Sequence, residues 1–105
     1  MANEALIIRE NRTLRTALGE EIDHHTAKGM RERIDKEIFK DCPEVLILDF
    51  SAVKFMDSSG IGLILGRCEL CASLGIDVRI EGMSKTQKRL IYLSGIERVK
   101  NLTVV

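Results

Sequence analysis

The chain has no tryptophan, one proline and aromatic residues at only 4% of its 105 positions. With so few aromatics it lacks the stacking platforms on which single-stranded nucleic acids are held. Net charge is also missing: sixteen basic and sixteen acidic side chains cancel, and no basic block exceeds two residues. That balance excludes the electrostatic footprint of a nucleic-acid binder and the basic anchor of an anionic membrane surface. Long hydrophobic runs are absent, since the longest uncharged apolar stretch is Ile61 to Gly66, too short to cross a bilayer. The opening Met-Ala-Asn-Glu-Ala has no basic n-region, so a cytoplasmic protein without a signal peptide is expected. Three cysteines, an odd number, do not make a disulfide framework.

What remains is an ordinary globular balance, 45% hydrophobic and 30% charged, in a length that suits one domain spanning residues 1–105. Ala5 to Arg9 and Arg12 to Leu18 read as a hairpin, with Leu14 and Leu18 on one face. Asp23 is placed to cap a helix in which Ala27, Met30, Ile34 and Ile38 recur at helical spacing until Asp41-Cys42-Pro43 stops it. Glu44 to Phe50 is almost uninterrupted apolar strand, which points to a parallel sheet covered on both sides or at least to an interior strand. Ser51 to Phe55 reads as a connecting loop. A second helix then runs from about Ser58 to Leu74, with Gly75 at C′. Ile76 to Glu81 alternates as a strand, and Ser84-Lys85-Thr86-Gln87 is a capping box opening a helix that buries Leu90, Ile91 and Leu93. Leu102 to Val105 is a last strand. The predicted class is α/β, a mixed sheet in the order β-β-α-β-α-β-α-β with helices packed on it. Internal repeats, low-complexity segments and linkers are absent.

The most informative stretch is Phe55-Met56-Asp57-Ser58-Ser59-Gly60-Ile61-Gly62, where a loop opens a helix. A helix start presents unpaired N–H groups and partial positive charge, so an anion is accommodated there. A carboxylate, two hydroxyls and two glycines at that place suit a phosphate-accepting serine, while the simpler reading makes Asp57 or Ser58 an N-cap only. Other chemistries fit less well. Gly60, Gly62 and Gly66 are one residue off the dinucleotide fingerprint, there is no phosphate-binding Gly-x-x-x-x-Gly-Lys-Ser/Thr, and the four-residue spacing of Gly62 and Gly66 suits packing on a neighbouring strand. A triad of Ser58 or Ser59 with His24 or His25 and Asp23 or Asp57 lacks the nucleophile elbow G-x-S-x-G. Topology nevertheless allows the Asp23 and Asp57 turns to share one end of the sheet, where ligands and partners gather in open α/β folds. Cys68 and Cys71 form a C-x-x-C about ten residues inside a helix, on the face of Ile61, Ile64 and Leu65, so core packing outweighs redox or zinc chemistry.

Three segments carry a family resemblance: Glu21-Ile22-Asp23-His24-His25-Thr26-Ala27, the strand Leu46 to Phe50, and Phe55 to Arg67. They resemble the anti-sigma factor antagonists of the STAS domain class, most like the sporulation branch of endospore-forming bacteria, and the likeness spans essentially the whole chain. The resemblance implies a protein that is not an enzyme and needs no cofactor. Its unphosphorylated form binds an anti-sigma factor that is also a serine kinase and so frees the sigma factor. The kinase, which supplies ATP, magnesium and catalytic base, then phosphorylates Ser58 and ends the interaction, and a separate phosphatase resets it. By the same resemblance Asp57 orients the turn and contacts the kinase, Ser59 and Gly60 form the helix start, and Asp23 and Thr26 complete a partner-binding rim. Ile61, Leu63 and Leu65 include both core and rim positions, and Ser59 remains an alternative acceptor. The turn Gly19-Glu20-Glu21-Ile22-Asp23 departs from the family's Gly-Glu-Leu-Asp by placing its glycine one position early. Two other functions stay open: a general stress-response antagonist or signalling scaffold of the same fold, and a small nucleotide-binding protein using the Asp-Ser-Ser-Gly loop.

Overall fold

The computed structural model describes residues 5–105. Five strands form one sheet, β1 (Leu6–Glu10), β2 (Thr13–Ala17), β4 (Val45–Asp49), β6 (Asp77–Glu81) and β7 (Leu102–Val104), in that spatial order. β1 runs antiparallel to β2 and every other pair is parallel. Helices α1 (His24–Asp41), α2 (Ser58–Ser73) and α3 (Lys85–Ser94) occupy the connections, and a short 3-10 turn (Ile96–Arg98) precedes β7. Two further strands of two residues each, β3 (Glu21–Ile22) and β5 (Phe55–Met56), pair with each other apart from the main sheet.

Local chemistry sets the ends of these elements. The Asp23 carboxylate accepts from the N–H groups of His25 and Thr26, and the Thr26 hydroxyl accepts from the Asp23 N–H, closing a capping box on α1. Ser84 and Gln87 form the second box on α3 as read from the sequence. Gly75 lies in the left-handed region at φ 72°, where α2 stops. α1 ends on Cys42, itself left-handed at φ 44°, immediately before Pro43.

The hairpin turn also costs something. Asn11 and Arg12 lie at φ 49° and 65°, the two positive values of a two-residue turn flanked by the pair Glu10↔Thr13. Asparagine tolerates this region and arginine does not, while the Arg12–Glu44 ion pair at 3.1 Å is solvent-exposed and offsets little. The bond from the Glu44 N–H to the Arg12 carbonyl belongs to the backbone and survives substitution. Arg12→Gly is therefore expected to raise stability by about 0.5–1 kcal/mol. In a thermal melt that is a rise of roughly 2–4 °C, and a fall in Tm would show that the turn is not strained.

β4 is the central strand, with Leu46 and Leu48 fully buried on the helix-covered face beside Leu14, Val78 and Ile80. The opposite face is open rather than covered, which corrects half of the expectation for a continuous apolar strand. There Ile47 stands in register between Arg15 and Arg79, whose aliphatic stems flank it, while Leu6 and Ile8 on β1 are exposed. Arg15 pairs with Glu81 at 3.0 Å and Arg79 with Glu81 at 2.8 Å across the same face.

α3 also departs from the sequence reading. Ile91 is buried, but Leu90 and Leu93 are exposed, at 40% and 76%. The inward stripe is Gln87 and Ile91, one turn apart, and the Gln87 side chain donates to the carbonyl of Val53 at 3.1 Å. A buried amide thus takes a place that a hydrophobic pattern assigns to leucine.

Candidate functional site

The pair β3–β5 builds the site. Read from the sequence as a lead-in and a loop, the two segments lie parallel with Glu21 opposite Phe55 and Ile22 opposite Met56. The Glu20 carbonyl accepts from the N–H groups of Lys54 and Phe55, at 2.7 and 3.1 Å, and the Ile22 carbonyl accepts from Asp57 at 3.1 Å. Ile22 is fully buried and anchors the pair. Because each strand leads directly into a helix, this pairing sets the N-caps Asp23 and Asp57 side by side. The early Gly19 leaves the junction intact, since Glu20 still supplies its carbonyl, and its carboxylate lies 3.1 Å from the Lys54 ammonium.

At the second turn Asp57 is the N-cap of α2, its carboxylate accepting from the Ser59 N–H at 2.7 Å. Ser58 is the first helical residue. It is exposed, and its hydroxyl makes no hydrogen bond among the described residues. Ser59 is half-buried and lines a cleft between α1 and α2. The two neighbouring hydroxyls therefore differ: Ser58 faces solvent and Ser59 faces the first helix. Gly60 is buried, and a Cβ there would run into the Cγ and Sδ of Met56 and meet Ile22 Cγ2 at 3.6 Å. Glycine lets the first turn of α2 lie directly on the β3–β5 pair.

At the first turn the Thr26 N–H, helped by the His25 N–H and the Thr26 hydroxyl, holds the Asp23 carboxyl below its ordinary value although desolvation pulls it upward. Thr26 also donates to the Glu21 carbonyl at 2.8 Å, tying helix to strand. Downstream on α2, Leu63 belongs to the core, Leu65 is 39% exposed, and Ile61 is half-buried against the core. This divides the three positions that the sequence left unresolved, and it takes Leu65 off the buried cysteine face. Phe55 stands 53% exposed two residues before Asp57, a surface aromatic that sequence reasoning placed in a loop and passed over.

Both candidate bases, His24 and His25, are exposed, and the Asp23 and Asp57 carboxylates are committed to backbone N–H groups rather than to a histidine. Among the described residues no three His, Cys, Asp or Glu side chains gather as a metal site. Burial pushes the thiols of Cys68 and Cys71 up to about 11 and about 12, the opposite of what a redox pair needs. Gly62 and Gly66 do not pack on a strand as their spacing suggested. A Cβ at either position would meet nothing within 4 Å, because both face the α1–α2 cleft.

Fold and site together describe a small α/β domain that displays an exposed serine on an Asp57-capped helix start beside a second capped turn. The STAS domain model matches residues 7–103, and the chain belongs to the STAS domain family. The anti-sigma F factor antagonist of Paenibacillus polymyxa is 34% identical over 82 residues, 78% of this chain and 70% of that protein. The anti-sigma factor antagonist SpoIIAA in its unphosphorylated form superposes with a TM-score of 0.80 at 27% identity, covering 96% of this chain and 87% of that one. SpoIIAA of Bacillus in its phosphorylated form gives 0.74 at the same identity, covering 96% and 90%. Among the described residues no helix is long and apolar enough to cross a membrane.

Proposed function

We propose that this protein is a phosphorylatable anti-sigma factor antagonist that acts in the cytoplasm as a binding partner rather than as an enzyme. In its unphosphorylated form it engages an anti-sigma factor serine kinase through the two capped turns, releasing the sigma factor that the kinase held. The kinase transfers phosphate to Ser58, the complex separates, and a serine phosphatase restores the binding form. The observation that carries this reading is the exposed, unbonded hydroxyl of Ser58 at the N-terminus of α2, set beside the Asp23 turn by the β3–β5 pair. The similarity to named anti-sigma F factor antagonists supports the partner class and a sporulation role. Asp23 and Thr26 form one side of the contact surface, and Asp57, Ser59, Gly60 and Ile61 the other, with exposed Phe55 and Leu65 supplying apolar area at its edge.

Incubation with the anti-sigma kinase from the same genome and Mg-ATP, followed by intact mass and phosphopeptide mapping, tests the reading. One phosphate on Ser58 is expected, absent in Ser58→Ala and retained in Ser59→Ala. A phosphate that maps to Ser59 would move the acceptor into the α1–α2 cleft, and no incorporation by a kinase active on another substrate would leave a constitutive scaffold.

A further inference from the structure

The cleft between α1 and α2 holds chemistry that the Ser58 turn does not use. It is a groove open to solvent with a volume of about 540 Å³, and Ser58 is not among the residues that line it. One wall is the backbone of α2 at Gly62 and Gly66, above which space is open on both residues. Glycine is the poorest ordinary helix former, so two of them one turn apart in α2 weaken the helix and leave room above it. The other wall carries Lys28 and Arg31 from α1, both exposed, and no residue lining the cleft is acidic.

Arg67 is among the residues lining the cleft, with only 5% of its surface exposed. Its Nε stands 2.7 Å from Oδ1 of Asp35, an ion pair without hydrogen-bond alignment that joins the two helices. Its Nη1 is buried and has no acceptor among the described residues. A guanidinium carries five N–H donors in a planar fork, and one carboxylate approaching Nε leaves most of that capacity unused. Burial holds the Asp35 carboxyl above its ordinary value and the Arg67 guanidinium below its own, so neither partner fully compensates the other. Arg67 and Arg31 both act on the Asp35 carboxylate, and Lys28 adds a third cation to the lining of the cleft.

We propose that the α1–α2 cleft is a binding site for a small oxyanion, a carboxylate or a phosphate monoester, whose oxygens complete the coordination of Arg67. Its body lies along Gly62 and Gly66, with Lys28 and Arg31 closing over its charge. The planar fork of arginine matches both oxyanions in two-point contact, and the volume of the groove falls in the range of small-molecule sites. The cleft shares Ser59 with the proposed contact surface, but its test reads oxyanion binding by the free chain and does not depend on phosphorylation of Ser58.

The test is an NMR titration of the full ¹⁵N-labelled chain with sodium phosphate and, separately, sodium succinate, each against sodium chloride at matched ionic strength. Saturable shifts are expected at the Gly62 and Gly66 amides and at the Arg67 Nε–H with at least one oxyanion, and not with chloride. The arm that saturates identifies phosphate or carboxylate as the ligand class. A Cβ at Gly66 meets nothing within 4 Å, so Gly66→Leu, which extends into the cleft, is expected to abolish the shifts while Tm is maintained or rises. Arg67→Lys is expected to weaken binding about tenfold or more, because a point charge replaces the fork. Neither oxyanion giving a saturable shift at millimolar concentration, chloride reproducing the shifts, or the shifts persisting in Gly66→Leu would each overturn the proposal.

Discussion

Phosphorylation of Ser58 is expected to weaken binding of the anti-sigma factor at least about a hundredfold, while the free protein keeps its fold. A hundredfold corresponds to about 2.7 kcal/mol, and the interface has the means to supply it. The phosphate brings roughly −1.5 to −2 charges at pH 7 to a residue adjacent to the Asp57 carboxylate. At an effective dielectric near 20, like charges a few ångström apart repel by a few kcal/mol, and a complex must also desolvate the phosphate. Within the free protein the balance runs the other way. Ser58 is exposed and its hydroxyl makes no internal hydrogen bond among the described residues, so nothing is broken by modifying it. The positive end of α2 favours an anion at that place by roughly 0.3–1 kcal/mol. Calorimetry on the unmodified and phosphorylated chains, with a thermal melt of each, separates the two effects. Affinities within threefold of each other would exclude Ser58 as the switch. Release accompanied by a Tm drop of about 8 °C or more would locate the effect in the fold.

The same balance explains which parts of this site were legible in the sequence. Capping is local chemistry, so Asp23, Asp57 and the Ser84–Gln87 box could be read from a few neighbouring residues. The strand Val45–Asp49 could be read because an interior strand needs apolar residues in sequence, although Ile47 faces the open side of the sheet. The β3–β5 pair gives no comparable signal. Two-residue strands have no periodicity, and the partners Ile22 and Met56 are separated by the whole of α1 and β4. The juxtaposition of the two turns could therefore be anticipated only as something topology permits. Arg67 was missed for a different reason: a charged residue in a helical pattern defaults to solvent, and its burial depends on Asp35 from another helix. α3 misled because Gln87 occupies the inward stripe, where its amide satisfies the Val53 carbonyl, leaving Leu90 and Leu93 on the outside.

Gly82→Ala is expected to cost about 2–5 kcal/mol, a large share of the 5–15 kcal/mol that stabilises a domain of this kind. The residue is exposed and follows β6, a position where substitution is ordinarily harmless. Two independent effects act against alanine. The backbone stands at φ 77°, in the left-handed region that costs an L-residue about 1–2 kcal/mol. An added Cβ would also lie 2.9 Å from both the Asp49 carboxylate and the Ser51 backbone nitrogen, and would overlap the Ser51 hydroxyl. Those atoms have little freedom to retreat. The Ser51 N–H and hydroxyl both donate to Asp49 Oδ1, at 2.9 and 2.6 Å, and the Phe50 N–H donates to the Glu81 carbonyl at 2.8 Å. Asp49 itself stays below its ordinary carboxyl value although partial burial pulls it upward, because Ser51 and the Arg15 guanidinium favour its charged form. Forcing this turn apart adds about 1–3 kcal/mol of overpacking and displaces Met83 and Ser84, from which α3 starts. Urea unfolding of Gly82→Ala, Ser51→Ala and the double variant resolves the two contributions. Removing the hydroxyl should recover part of the loss, giving a coupling of about 0.5–1 kcal/mol, while the backbone contribution persists. If Gly82→Ala alone unfolds within about 0.5 kcal/mol of the parent, the loop moves freely and the close approach at the end of β4 does not constrain it.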